Sequence, residues 1–188
     1  VPDFAHHHAT RVLDCGAMGI VFPHVDDADT AKKLVSYCLF PPKGHRSMTG
    51  SLPQLNFVPT PISEVATTIN DSLIIVMMLE SPEAINNVED IAAISGVDVL
   101  LIGTNDLCME MGIPGDYANP KIKEAYKKVI QACKKFGKTP GMGGVYSEEL
   151  MSEYIGMGMK FILSGSDLSF MMNSAKQRSD NIRSFQKK

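Results

Sequence analysis

The sequence predicts an α/β fold with a parallel, helix-covered sheet. Three observations carry this. Short apolar runs of strand length alternate along the chain with amphipathic segments. The runs are continuous, as in Leu73-Ile74-Ile75-Val76-Met77-Met78-Leu79, which suits strands buried on both faces of a parallel sheet. The 188 residues, 44% hydrophobic and 21% charged, are one domain's worth of ordinary globular chain.

The elements follow in order. Residues 5–13 read as a helix with Ala5, Val12 and Leu13 on or near one face. Asp14-Cys15-Gly16 stops it, with Gly16 suited to the position after the helix end. Gly19-Ile20-Val21-Phe22-Pro23 is a buried strand ended by proline, and Asp26 or Asp27 caps a helix reaching about Tyr37. Residues 40–60, with Pro41-Pro42-Lys43-Gly44-His45-Arg46, are polar and rich in Pro and Gly, hence a long loop. A helix over 63–70 precedes the strand 73–79. A helix over 82–94 precedes the strand 97–102, and a short helix over 105–111 leads into a Pro/Gly loop. The helix 120–136 ends at Gly137. A weak strand over 138–142, a helix over 147–156, a strand over 159–164 and a C-terminal helix over 167–185 complete the chain. These βα units suffice for an open doubly wound sheet but fall three short of a (β/α)8 barrel, which takes about 250 residues. Periodicity does not choose between the two.

The formal charge of −3 argues against a non-specific nucleic-acid binder, which needs a basic field. No apolar run approaches the ~18–20 residues of a membrane span. The first residues, Val-Pro-Asp-Phe, lack both an initiator Met and a signal-peptide pattern, so the chain is expected to be partial at its front. Cys15, Cys38, Cys108 and Cys133 form no C-x-x-C pair and read as reduced thiols of a cytoplasmic protein, each a small buried hydrophobe. His6-His7-His8 point in different directions on a helix and read as surface residues, since one mononuclear site cannot use all three. Neither a phosphate-cradling glycine motif nor a nucleophile-elbow motif is present.

In either architecture ligands gather at the C-terminal ends of parallel strands. Two carboxylates fall there. Glu80 closes Val76-Met77-Met78-Leu79-Glu80, and Asp106 follows Leu101-Ile102-Gly103-Thr104-Asn105. Neighbouring strands lie ~4.8 Å apart, so the two can converge. Two carboxylates with room for water and substrate oxygens suit Mg²⁺ or Mn²⁺, and no His or Cys lies near enough in sequence for a zinc cage. The competing reading makes both residues ordinary acids at helix N-termini. Gly103-Thr104-Asn105-Asp106 is also a glycine-led turn whose free N–H groups suit an anion such as a carboxylate, or else a plain βα loop with an Asn or Asp cap. Asp14 lies near a helix C-terminus, where an acid opposes the dipole, which hints at a role beyond helix propensity.

At these residues the stretch from Leu13 onward resembles the HpcH/HpaI aldolases, metal-dependent class II pyruvate aldolases such as 2-dehydro-3-deoxyglucarate aldolase. The matching pieces begin with Leu13-Asp14-Cys15-Gly16-Ala17-Met18-Gly19-Ile20-Val21, Pro23-His24-Val25 and Pro41-Pro42-Lys43-Gly44-His45-Arg46-Ser47. Leu79-Glu80-Ser81 and Asn87-Val88-Glu89-Asp90-Ile91-Ala92-Ala93-Ile94 come next, then Gly96-Val97-Asp98, Ile102-Gly103-Thr104-Asn105-Asp106-Leu107 and Gly165-Ser166-Asp167-Leu168. They keep the family's order and approximate spacing over nearly the whole chain.

The resemblance implies a (β/α)8 TIM barrel of the phosphoenolpyruvate/pyruvate-binding type, with residues 1–188 a partial barrel domain lacking about the first three strands. It implies a homo-oligomer, a hexamer or trimer of dimers, with the helix 167–185 exchanged between neighbours. Glu80 and Asp106 match the metal ligands, for Mg²⁺ or Mn²⁺ with Co²⁺ as a further candidate. Asn105 and Asp106 match substrate contacts, together with Thr104 and Gly103 of the same turn. Asp14 matches the acid that raises the basicity of a catalytic His. That His, and a transition-state Arg preceding a Val-Pro dipeptide, would lie upstream of Val1. Met78 stands where well-known members carry a substrate-contacting Gln, and it cannot donate an equivalent hydrogen bond.

The implied reaction is aldol cleavage of a 4-hydroxy-2-oxo acid, the small-molecule partner, to pyruvate and an aldehyde. No Schiff-base lysine is needed, and Lys138 and Lys160 stand at strand beginnings, away from the expected site. Oxaloacetate decarboxylation and acyl-CoA lyase chemistry use the same enolate site and remain open alternatives, as does a catalytically silent fragment.

Overall fold

A computed structural model describes Val1 and residues 4–185; Pro2 of the Val-Pro dipeptide lies outside them. Five parallel strands form one sheet in the order β1 (Gly19–Phe22), β2 (Ile74–Leu79), β3 (Val99–Gly103), β4 (Thr139–Gly143) and β5 (Phe161–Ile162). The helices are α1 (His6–Asp14), α2 (Ala28–Cys38), α3 (Ile62–Ser72), α4 (Pro82–Asn86), α5 (Val88–Ala92), α6 (Thr104–Glu110), α7 (Pro120–Phe136), α8 (Glu148–Met157) and α9 (Asp167–Ser184).

The two faces of the sheet pack differently, and this decides between the architectures. Ile20, Phe22, Ile75, Met77, Leu79, Leu100, Ile102 and Met142 join the main core with residues of the helices, among them Leu34, Ile91, Tyr126 and Val129. The alternate residues Val76, Val99 and Leu101, with Val21, Met78 and Phe161, make a second cluster built from strand side chains alone. A doubly wound sheet reverses its strand order and covers both faces with helices. Here the order runs straight from β1 to β5 and the packed helices share one face, as in the wall of a barrel.

Local chemistry sets the element ends. Asp27 caps α2 by accepting from the Thr30 N–H at 2.7 Å, and Ser81 caps α4 through the Ala84 N–H at 3.0 Å. Gly137, at φ +69°, ends α7 in the left-handed region that glycine enters without penalty. The helix expected over 82–94 is divided at Asn87, whose side-chain N–H donates to the Asp26 carbonyl at 2.8 Å. The strand expected over 159–164 shortens to Phe161–Ile162, and the loop 40–60 contains one 3-10 turn at Pro53–Leu55. β3 is buried at every position, whereas β1 alternates, because the side of β1 away from the helices is only partly covered.

Cys38, Cys108 and Cys133 are buried as expected, and burial pushes the Cys38 and Cys133 thiols up to about 12. Cys15 corrects the expectation: it caps the end of α1 and is exposed there. Among the described residues no helix is long and apolar enough to cross a membrane.

Candidate functional site

The C-terminal ends of β2 and β3 bring Glu80 and Asp106 together. Glu80 directly follows the last residue of β2, on the same side of the strand as Met78 and Val76, so it stands at the end of the face that carries no helices. Gly103 ends β3 and the chain turns at once into α6, which places Thr104, Asn105 and Asp106 in its first turn. The two carboxylates line one cleft, close enough for the charge of Asp106 to act on Glu80.

Glu80 is buried, at 4% exposure, whereas Asp106 faces solvent. Desolvation holds the Glu80 carboxyl above its ordinary value. The His24 N–H bond and the His24 ring oppose that shift, and the charge of Asp106 adds to it. A buried acid pressed against a second acid is what a cation between them would relieve. Among the described residues no group of three or more His, Cys, Asp or Glu could hold a metal. Two carboxylates would therefore leave the other positions to water and substrate oxygens, which suits a hard ion of the Mg²⁺ or Mn²⁺ kind.

Gly103 makes room for this arrangement. A Cβ there would stand 2.6 Å from Glu80 Cγ and 2.7 Å from Oε1. Gly144, at φ +86°, is equally constrained, since a Cβ would meet the Asn105 side chain and backbone at 3.1–3.2 Å. Glu80, Met78, the 103–106 turn, Gly143, Gly144, Tyr146 and Leu163 line a cleft of about 150 Å³. Asn105 is held from outside by Tyr117, whose hydroxyl donates to Oδ1 at 2.7 Å. Thr104 is buried, its hydroxyl 2.7 Å from that of Tyr126.

Six residues singled out in the sequence, Met78, Glu80, Gly103, Thr104, Asn105 and Asp106, thus meet in one cleft. Asp14 does not join them. It ends α1 ahead of β1, at the N-terminal edge of the sheet, and β2 alone puts about 20 Å between the two edges. There Asp14 accepts from Arg46 at 2.8 Å. Lys138 and Lys160 precede β4 and β5, as expected for residues away from the site. Sequence reasoning missed His24 as a site residue. Its N–H donates to Glu80 Oε2 at 2.7 Å and its Nδ1 lies 3.2 Å from the same oxygen. The one signal in the sequence was its place two residues beyond the end of β1, at the same edge of the sheet as Glu80.

Residues 2–174 match the family described as HpcH/HpaI aldolase/citrate lyase. The chain belongs to the HpcH/HpaI aldolase/citrate lyase family. It is 39% identical over 168 residues to a 4-hydroxy-4-methyl-2-oxoglutarate aldolase of Chaetomium globosum, covering 88% of this chain and 62% of that protein. It is 38% identical over 181 residues to another of the same name from Hapsidospora irregularis, covering 94% and 66%. The chain thus spans less than two thirds of the length of these relatives. Among solved structures, an HpcH/HpaI aldolase from Desulfitobacterium hafniense superposes with a TM-score of 0.88 at 28% identity, over 97% of this chain and 70% of that one. Macrophomate synthase superposes at 0.76 and 26% identity, over 98% and 66%. Both solved structures share the parallel α/β fold of this chain.

Proposed function

We propose that this chain carries the metal-binding and oxo-acid-binding part of a class II aldolase that cleaves a 4-hydroxy-2-oxo acid to pyruvate and an aldehyde. The convergence of Glu80 and Asp106 on one cleft at the C-terminal edge of the sheet carries the reading. The names of the relatives, 4-hydroxy-2-oxo acid aldolases at 38–39% identity in the two cases above, support the substrate class.

A divalent cation, Mg²⁺ or Mn²⁺ with Co²⁺ as a further candidate, would be held by Glu80 and Asp106 and would act as a Lewis acid toward the negative charge that develops on the 2-oxo oxygen as the C3–C4 bond breaks. The chain's own residues prepare the cleft for this. Burial and Gly103 set the Glu80 carboxylate against Asp106. Tyr117 holds the Asn105 amide oxygen, and the Asn105 NH₂ group beside Gly144 would donate to the substrate carboxylate. Thr104, buried and hydrogen-bonded, keeps the turn rigid. Met78 offers an apolar wall in place of a hydrogen-bond donor. The 4-hydroxyl proton leaves to a base, the upstream His in the reading drawn from the resemblance. In that reading the five strands are one arc of a (β/α)8 barrel. Homo-oligomerisation through α9 is supported by the exposure of Leu168, Phe170, Met171, Met172 and Ile182.

Mn²⁺ binding, followed by EPR or calorimetry with and without oxalate as an enolate mimic, tests the site. The reading expects binding that tightens with oxalate and is lost in Glu80→Gln and Asp106→Asn. A folded chain that binds no Mn²⁺ overturns it. Pyruvate release from hydroxy-oxo acids, compared with decarboxylation of oxaloacetate, then separates aldol cleavage from the other enolate reactions.

A further inference from the structure

His24 has one of three positive φ values among the described non-glycine residues, at +51°. A side chain enters this left-handed region only when something holds it there. Here the loop after β1 is fastened, immediately after His24, to the end of β2 and to the ends of α4. The Val25 N–H donates to the Met78 carbonyl at 3.1 Å. The Ser81 hydroxyl donates to Asp26 Oδ1, and the Asn87 side chain donates to the Asp26 carbonyl at 2.8 Å. The left-handed turn at His24 aims both its backbone N–H, at 2.7 Å, and its Nδ1, at 3.2 Å, at one atom, Glu80 Oε2. The other oxygen, Oε1, stands against Gly103, where a Cβ would come within 2.7 Å of it.

We infer that His24 is a positioning residue for Glu80: its left-handed backbone commits Oε2 to the protein and leaves Oε1 alone to take the cation. The inference rests on the metal reading of Glu80 and Asp106. A carboxylate with one oxygen occupied binds through the other, so Glu80 would fill one coordination position instead of two. With Asp106 as the other protein ligand, the ion would be held by few protein oxygens, and the remaining positions would be left to substrate oxygens and water. Were Oε2 released, Glu80 could close around the ion with both oxygens and take a position that the substrate or a water needs. The backbone N–H makes the shorter bond and survives any side-chain change that tolerates the turn. The imidazole, two thirds exposed, is the secondary contact.

The experiment compares wild type with His24→Asn, His24→Ala and His24→Val. Mn²⁺ affinity is measured by EPR, and the number of waters on bound Mn²⁺ by water-proton relaxation. Asn enters the left-handed region readily, Ala less so, and β-branched Val least. The expected result is near-wild-type affinity and water number for His24→Asn, within about threefold. For His24→Val it is a loss of about tenfold or more in affinity, as when a partner of a metal ligand is removed, with one water fewer on the ion. His24→Ala falls between and keeps the comparison if the Val variant does not fold. Equal affinity and hydration in every folded variant overturns the inference, and so does an equal loss in His24→Asn and His24→Ala, which would assign the effect to the ring. Failure of wild type to bind Mn²⁺ at all is distinct and overturns the metal reading on which the inference rests.

Discussion

The hydroxyls of Thr104 and Tyr126 lie 2.7 Å apart, fully buried behind the turn that carries Asp106. Tyr126 stacks on Tyr154 with ring centroids 4.0 Å apart, the Tyr154 hydroxyl donates to the Tyr117 carbonyl, and the Tyr117 hydroxyl donates to Asn105. Three tyrosines thus tie two consecutive residues of the site to α7, α8 and the loop between α6 and α7.

Tyr126→Phe leaves the Thr104 hydroxyl buried without this partner. The expected cost is about 1–3 kcal/mol of stability, the range for orphaning a buried polar group. Thr104→Val alone should cost a similar amount. The double variant should recover much of the loss, since replacing both partners by apolar groups of like shape is close to neutral. Urea unfolding of the four proteins checks this; simple addition of the single costs would mean that the two hydroxyls do not depend on each other.

Gly103→Ala tests the close approach of β3 to Glu80. The new Cβ would meet Glu80 Cγ and Oε1 at under 3 Å, and a buried carboxylate hemmed in by His24 and Asp106 has little room to yield. Mn²⁺ affinity is expected to fall about tenfold or more, while the unfolding midpoint shifts by a smaller proportion. Unchanged Mn²⁺ binding would show that Glu80 can move and still serve as a ligand.

Much of this site was legible because its signal is local. A strand that ends in Glu80, and a strand that turns through Gly103 into Asp106, each announce a side chain at a C-terminal strand end. The choice between barrel wall and doubly wound sheet was not legible. It depends on which face of the sheet each helix covers, a long-range fact that the apolar runs at 73–79 and 97–102 do not encode. His24 was overlooked because its contribution is mostly a backbone N–H in an unusual conformation, and Pro23-His24-Val25 reads as an ordinary strand exit. The distance of Asp14 from the cleft was likewise hidden, since proximity along the chain to β1 does not reveal which edge of the sheet a residue occupies.

Glu80 makes the metal-free protein sensitive to pH. Desolvation, with repulsion from Asp106, holds its folded-state pKa above the ordinary 4.5. The folded state therefore binds more protons than the unfolded state between 4.5 and the raised value, and stability contributed by this group falls as pH rises through that window. Above the raised value the full penalty is present. Metal-free Glu80→Gln should accordingly be more stable than wild type near neutrality, with the difference shrinking as the pH falls toward 4.5. Melting temperatures of both proteins from pH 4 to 8 in chelator check the sign. Saturating Mn²⁺ should raise wild-type stability at pH 7 and leave Glu80→Gln nearly unmoved.

Asp14 and Arg46 form a pair with unequal partners. The Arg46 side chain is fully buried, stacked 4.6 Å from the Phe40 ring centroid, and its Nε and Nη1 have no hydrogen-bond partner among the described residues; Asp14 is partly exposed. Asp14→Asn takes the charge partner from a buried guanidinium and should cost about 2–4 kcal/mol, below the full cost of breaking a wholly buried pair because water reaches Asp14. Arg46→Met removes the buried charge and its two orphan donors while keeping an apolar stem against Phe40, so its cost should stay within about 1 kcal/mol. Denaturant unfolding at pH 7 distinguishes the two. A loss in Arg46→Met as large as that in Asp14→Asn would mean that the pair is net stabilising despite its desolvation. Because both residues sit at the opposite edge of the sheet from Glu80, neither change should alter the Mn²⁺ affinity of the monomeric chain; a shift of tenfold would contradict that separation and place Asp14 within reach of the cleft.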